Sequence, residues 1–239
     1  MKPSGILHLI PVSLGEAPPE TWLPQAVHET ASRLNAYIAE NAKTARAFLK
    51  QISTLTPLQE ITIHTLTDKI QEPQMREWLQ PLAEGGEIGL VSEAGCPAVA
   101  DPGARVVALA HNMGISVKPW VGPSSILLSL MGSGLEGQRF AFHGYAPVEP
   151  TARARQIKEW EASSKKLEQT QIFIETPYRN DAMFDTLKKT LQGNTRLCVA
   201  RALTTGQEWV QTHTVAHWKT LATPDLAKKP TIFLFLAGR

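Results

Sequence analysis

The sequence predicts an α/β protein whose first half is a mainly parallel sheet covered by helices and whose second half is a mixed, partly antiparallel sheet. Three observations predict it. From Ile6 to Trp120, short apolar runs alternate with amphipathic stretches, the pattern of strands joined by crossover helices. Near the C-terminus, strand-like runs at 196–200, 208–214 and 231–236 follow one another, as in antiparallel pairing. The apolar run ending at Val91 breaks off into Ser92-Glu93-Ala94-Gly95-Cys96-Pro97 and then Asp101-Pro102-Gly103. That is the form of a strand delivering a loop to the carboxyl edge of an open sheet, where ligands bind.

Taken in order, Ile6 to Ile10 reads as a buried first strand, broken by Pro11 and Gly15. Pro24 opens a helix bearing Val27, Ala31 and Leu34 at helical spacing, Ala36 to Ala39 forms a short strand, and Thr44 to Ile52 a second helix. Ile61 to Leu66 alternates as a strand does; Pro73 to Ala83 places Met75, Trp78, Leu79 and Leu82 on one helical face and stops at Gly85-Gly86. After the strand at 88–91, Asp101-Pro102 suits the N-cap and first turn of a helix over 104–112, and Ser116 to Trp120 is a further strand. Val121 to Ser125 is a turn leading into an apolar helix over 126–131, which puts a domain boundary there, giving domains 1–120 and 121–239. In the second domain, strands fall at 139–143, 171–175, 196–200, 208–214 and 231–236, with helices over 151–162 and 180–191.

Composition excludes several classes. The 24 Lys and Arg against 22 Asp and Glu leave a formal net charge of +2, so no global field recruits nucleic acid, although a local basic groove is compatible with it. Cys96 and Cys198 form no Cys-x-x-Cys pair and lie near no histidine at ligand spacing, which fits a reduced intracellular compartment and predicts no metal. The apolar stretch near the N-terminus is too brief for a signal peptide and no run reaches membrane-spanning length, so a soluble cytoplasmic protein is expected. No glycine-rich dinucleotide or triphosphate loop and no Gly-x-Ser-x-Gly elbow occurs. His213 and His217 share a helix-like spacing but fall on a strand and on the helix after it.

The ordered motifs Leu9-Ile10-Pro11-Val12-Ser13-Leu14-Gly15, Ser92-Glu93-Ala94-Gly95-Cys96-Pro97 with Asp101-Pro102-Gly103, Gly122-Pro123-Ser124-Ser125, Ser133-Gly134-Leu135, Phe140 to Tyr145, and Ile174-Glu175-Thr176-Pro177-Tyr178-Arg179 resemble the tetrapyrrole methylase superfamily. Within it they resemble the ribosomal RNA small-subunit methyltransferase I branch, and the likeness runs from about Ile6 to Leu236. The resemblance implies a homodimeric, two-domain α/β methyltransferase with S-adenosylmethionine in a cleft between the domains and no glycine-rich fingerprint. By motif position it assigns cofactor contacts to Leu14, to Ala94, Gly95, Cys96 and Val99, to Ser124 and Ser125, and to Thr176, Leu203 and Thr231, with Pro11 and Ser92 beside them. The chain departs from the branch at Gly15-Glu16-Ala17, where Gly-Asn-Leu is usual, and at Glu40-Asn41-Ala42-Lys43, where Glu-Asp-Thr-Arg is usual.

The residue types fit that assignment, since small residues and serines let a backbone approach adenine and methionine groups closely. Pro11 and Pro97 either shape these loops or simply end their strands. A hydroxyl acceptor gains from a base; Glu93, Glu40 and Asp101 are the carboxylates nearest the loops, with Glu93 the chosen catalytic residue and loop support its alternative role. Asp101 also suits a helix cap, and Glu40 a pair with Lys43 or Arg46. Arg46, Tyr178 and Arg179 are candidates for substrate contact, because guanidinium groups grip phosphates and aromatic rings stack on bases. The expected activity is ribose 2′-O-methylation of small-subunit ribosomal RNA, against two alternatives: C-methylation of a tetrapyrrole, or a non-catalytic cofactor-binding module.

Overall fold

The computed structural model describes residues 5–238; the start of the N-terminal stretch, residues 1–4, lies outside them. The chain forms two compact units, one ending at Ser124 and the other beginning at Ser125.

In the first unit the strands β1 (Ile6–Leu9), β2 (Ala36–Ala39), β3 (Thr62–Thr65), β4 (Glu87–Val91) and β5 (Ser116–Pro119) make one sheet in the order β3-β2-β4-β1-β5. Every pairing is parallel, so every crossover needs a connecting segment over one face. Helices α1 (Gln25–Arg33) and α2 (Ala42–Gln51) cover one face, where Val27, Ala31, Phe48 and Leu49 pack on Tyr37 and Val91. Helices α3 (Glu72–Ala83) and α4 (Gly103–Asn112) cover the other, with Met75, Trp78, Leu79 and Leu109 on Leu7, Ile38 and Leu90. Neighbouring residues such as Tyr37 and Ile38 thus serve opposite cores, which is why an interior strand such as β2 reads as an unbroken apolar run. Gly89 of β4 is a packing necessity, because a Cβ there would lie 2.4 Å from the buried Tyr37 ring.

In the second unit, β6 (Phe140–Tyr145), β7 (Thr170–Ile174), β8 (Arg196–Arg201), β9 (Trp209–Thr214) and β10 (Thr231–Leu236) form a sheet in the order β6-β7-β10-β8-β9. Only β6 and β7 are parallel; the remaining pairs are antiparallel. Helices α6 (Pro150–Leu167), α7 (Asn180–Thr190) and the short α8 (Val215–Trp218) bury Ile157, Phe184, Leu187 and Trp218 against Phe173, Phe233 and Phe235. The remaining helix, α5 (Ser125–Ser133), packs on β8, β9 and β10.

Every strand and helix expected from the sequence is present, β2 and β10 with the expected ends and most others with ends shifted by a residue or more. The helix expected over 151–162 continues to Leu167, carrying Lys165 and Lys166 in its last turn, where cations suit the carboxyl end of the helix dipole. Asp101 is not the N-cap of α4; Pro102 occupies that position, and Asp101 accepts from Gly103 N at 2.6 Å from one residue further back. Among the described residues no helix is long and apolar enough to cross a membrane.

Candidate functional site

Because the first sheet is parallel, the loops after β1, β2, β4 and β5 all leave from one edge. Three of them brace one another. Val12 N donates to Gly95 O at 3.0 Å and Gly95 N returns a bond to Val12 O at 3.2 Å, a two-residue antiparallel bridge between the first and second loops. Gly122 of the third loop lies against the Pro11 ring so closely that a Cβ would meet it at 2.2 Å. The Cys96 thiol donates to Pro123 O at 3.4 Å, closing the circle between the second and third loops.

Gly95 stands at the centre of this arrangement. Its φ of +73° lies in the left-handed region that favours glycine, and a Cβ would sit 3.1 Å from Leu14 Cδ2 and 3.2 Å from Pro123 O. Glycine therefore lets Leu14 and Pro123 close on the loop at this point. Ser92 is buried, and its hydroxyl reaches the carbonyls of Ala94 and Gly95, both at 3.2 Å, so it holds the loop's curve. Ala94 and Val99 are exposed, while Leu14, Cys96 and Ser124 are half-buried. Two further residues of this loop, Ala98 and Ala100, have φ of +65° and +61°.

The three carboxylates also gather at this edge. Glu40 follows β2 directly and its Oε1 accepts from Glu93 N at 3.3 Å. The alternative pairing of Glu40 with Lys43 or Arg46 on a helix entrance is not made: Asn41 caps α2 by accepting from Lys43 N and leaves Glu40 outside the helix. Burial chiefly pushes the Glu40 carboxyl above its ordinary range, with the nearby Asp101 charge adding to it. Burial likewise raises Asp101, against backbone bonds from Gly103, Ala98 and Val99; its Oδ2 is buried without a partner. The Glu93 side chain itself is exposed. Arg46 lies on the exposed side of α2.

In the second unit, β10 runs against both β7 and β8, so the carboxyl ends of those two strands and the start of β10 share one edge. Thr176 and Leu203 follow those strands and Thr231 begins β10, Leu203 and Thr231 both buried. Glu175 accepts from Thr176 N and from the guanidinium of Arg179. Tyr178 is 85% exposed. Each unit thus collects one part of the residues picked from the sequence. Sequence reasoning did not single out Val12, Gly122, Pro123 or Glu175 as braces; the Gly-Pro dipeptide and the acid four residues before an arginine were the signals for the last three.

No protein-family model matches the chain. Among curated proteins it is similar to the ribosomal RNA small subunit methyltransferase I of Xylella fastidiosa, 30% identical over 99% of this chain and 82% of that protein. The same-named protein of Synechocystis is 32% identical over 84% of this chain and 67% of its own length, and that of Vibrio cholerae 27% over 98% and 77%. Two solved structures share the fold: the methyltransferase CobJ, with a TM-score of 0.64 and 16% identity over 98% of this chain and 95% of its own, and the uroporphyrin-III-C-methyltransferase of Thermus thermophilus, with 0.56 and 14% over 98% and 92%.

Proposed function

From the premise that the chain belongs to the ribosomal RNA small subunit methyltransferase I family, within the tetrapyrrole methylase superfamily, and is a methyltransferase, we propose that it methylates a ribose 2′-hydroxyl of small-subunit ribosomal RNA with S-adenosylmethionine as donor. The family likeness over nearly the whole chain carries this reading. We further propose that the protein works in the cytoplasm as a homodimer.

The close backbone approach at Gly95, where a Cβ would crowd Leu14 and Pro123, suits a donor held by backbone groups. Pro11, Leu14, Ser92, Ala94, Gly95, Cys96, Val99, Ser124 and Ser125 are the proposed contacts from the first sheet's loops and the turn into α5, and Thr176, Leu203 and Thr231 those from the second unit. When bound, the donor supplies a methyl group already activated on a sulfonium, so no metal is required for its transfer. The protein has to align the acceptor hydroxyl, exclude water and take up one proton.

Glu93 is the proposed base. Its side chain is exposed while its backbone N–H is held by Glu40, which leaves the carboxylate free to meet an incoming hydroxyl. Arg46 and Arg179 would grip phosphates, and Tyr178 would stack on a base. The test is to incubate the protein with labelled donor and small ribosomal subunits lacking the modification, then digest the RNA and identify nucleosides by mass spectrometry. A 2′-O-methyl nucleoside supports the reading; label on a base, or only in a tetrapyrrole offered in parallel, overturns it.

A further inference from the structure

Next to Thr176, the carboxyl end of β7 carries a buried acid that the proposed reaction does not use. Glu175 is 4% exposed, yet one oxygen, Oε1, takes all its hydrogen bonds: from Thr176 N at 2.7 Å, Arg179 Nε at 2.9 Å and Arg179 Nη2 at 2.6 Å. Its Oε2 is buried with no partner. A carboxylate removed from water is costly unless a cation meets it, and Arg179 is the cation that does so. The carboxylate takes the Nε and Nη2 edge of a five-donor fork, so the guanidinium plane is fixed while further donors remain on it.

Two tyrosines accompany this fixed charge. Tyr178 precedes Arg179 in the chain and is 85% exposed. Tyr145, 59% exposed, ends the neighbouring strand β6 and pairs with Ile174, the last residue of β7. That pairing exists because β6 slips register between Phe142 and Tyr145, where Gly144 has a φ of +67°. Such bulges re-aim a side chain at a strand end. Here the bulge brings β6 to its end on Tyr145 beside Ile174, the residue before Glu175, and the Glu175 hydrogen bonds hold Arg179 at the same strand end.

A rigid guanidinium among exposed aromatic rings matches unpaired RNA, whose bases stack on rings and arginine planes and whose phosphates take the remaining donors. We propose that Glu175 is a positioning residue which, by fixing Arg179, sets the charged centre of a platform completed by Tyr145 and Tyr178 that seats one unpaired nucleotide of the substrate. The proposal rests on the reading of the protein as an RNA methyltransferase.

The test measures binding of a short fluorescent oligouridine, with inorganic polyphosphate as a second probe, and steady-state methylation of small ribosomal subunits. Tyr178→Ala should weaken oligouridine binding about tenfold while Tyr178→Phe retains it, and Tyr145→Ala should weaken it about fivefold. Glu175→Gln should raise KM for the subunit about fivefold or more at unchanged kcat, with S-adenosylhomocysteine affinity preserved; should that variant melt early, the two tyrosine variants decide. Parental oligouridine affinity in both tyrosine variants overturns the platform, as does an equal loss toward polyphosphate, or a fall in kcat with KM unchanged in a folded Glu175→Gln. Absence of methylation by the parent protein would overturn the functional reading instead, and the oligouridine series would still judge the platform.

Discussion

The loop after β4 and the loop after β8 both leave an interior strand through two non-glycine residues at positive φ, Ala98 (65°) and Ala100 (61°) in the first unit, Ala202 (48°) and Thr204 (67°) in the second. They are held by different means. The first is tied to other loops, through the Val12–Gly95 bridge, the Cys96 thiol on Pro123 O, and Asp101 behind it. The second is tied mostly to itself: Thr205 N and its hydroxyl donate to Ala202 O, Glu208 accepts from Thr204 N at 2.6 Å, and only the Ala202 N to Pro230 O bond reaches away. Left-handed alanine costs about 1–2 kcal/mol and persists only where its surroundings over-determine it. In the first unit the surroundings are the neighbouring loops of the same sheet edge; in the second they are one turn of chain.

The sharpest way to break this comparison is to fill a glycine in each loop. Gly95→Val should abolish S-adenosylhomocysteine binding by calorimetry and destabilise the protein by about 2–4 kcal/mol, since the new side chain meets Leu14 and Pro123 at a backbone angle valine avoids. Gly206, in the second loop, has nothing within 4 Å of a built Cβ. Gly206→Val should stay within about 0.5 kcal/mol of the parent. Equal losses would mean that the second loop is as globally braced as the first.

Removing one bracing carboxylate from each loop is the next test. Asp101→Ala strips the acceptor from Gly103 N and should cost about 2 kcal/mol in urea unfolding, whereas Glu208→Ala, on an exposed turn, should cost about 0.5 kcal/mol. Asp101→Asn should recover most of the loss, because it keeps an acceptor and sheds a charge that burial disfavours.

Glu40, which follows β2 and holds the Glu93 N–H of the first loop, gives that loop a pH dependence. With its folded pKa raised chiefly by burial, Glu40 contributes stability that is fully present below its ordinary value of 4.5 and is lost as pH rises through the raised folded value. Glu40→Gln should therefore raise the melting temperature at neutral pH, and the gain should close as pH falls below 4.5. A gain that persists in acid would assign the effect to packing.

How much of this was legible in the sequence follows the same division. Strand and helix periodicity located the elements of both sheets, and Pro11, Gly95 and the Gly122-Pro123 turn announced the edge where the first loops meet. The bridge from Val12 to Gly95 was not legible, because two backbone bonds between residues far apart in the chain leave no side-chain signature. Nor was Glu40 on Glu93 N, since a capping Asn41 next door reads equally well as part of a charged helix entrance. The left-handed alanines were hidden for a simpler reason: glycine is the residue that advertises positive φ, and Ala98, Ala100 and Ala202 carry no such mark.

Those alanines supply the smallest and most discriminating prediction. Replacing a left-handed alanine by glycine removes about 1 kcal/mol or more of steric cost but returns about 0.5–1 kcal/mol of entropy to the unfolded chain, so the sign turns on what the methyl group packs against. Ala98 is half-buried, and Ala98→Gly should stabilise the protein by about 0.5 kcal/mol in denaturant melts. Ala202 is only 8% exposed, and losing its methyl forfeits about 0.8 kcal/mol of burial, so Ala202→Gly should be neutral or slightly destabilising. If Ala202→Gly proved the more stabilising of the two, the second loop would be storing the greater strain, and its few local bonds would have to be holding it against more than one turn of chain can supply.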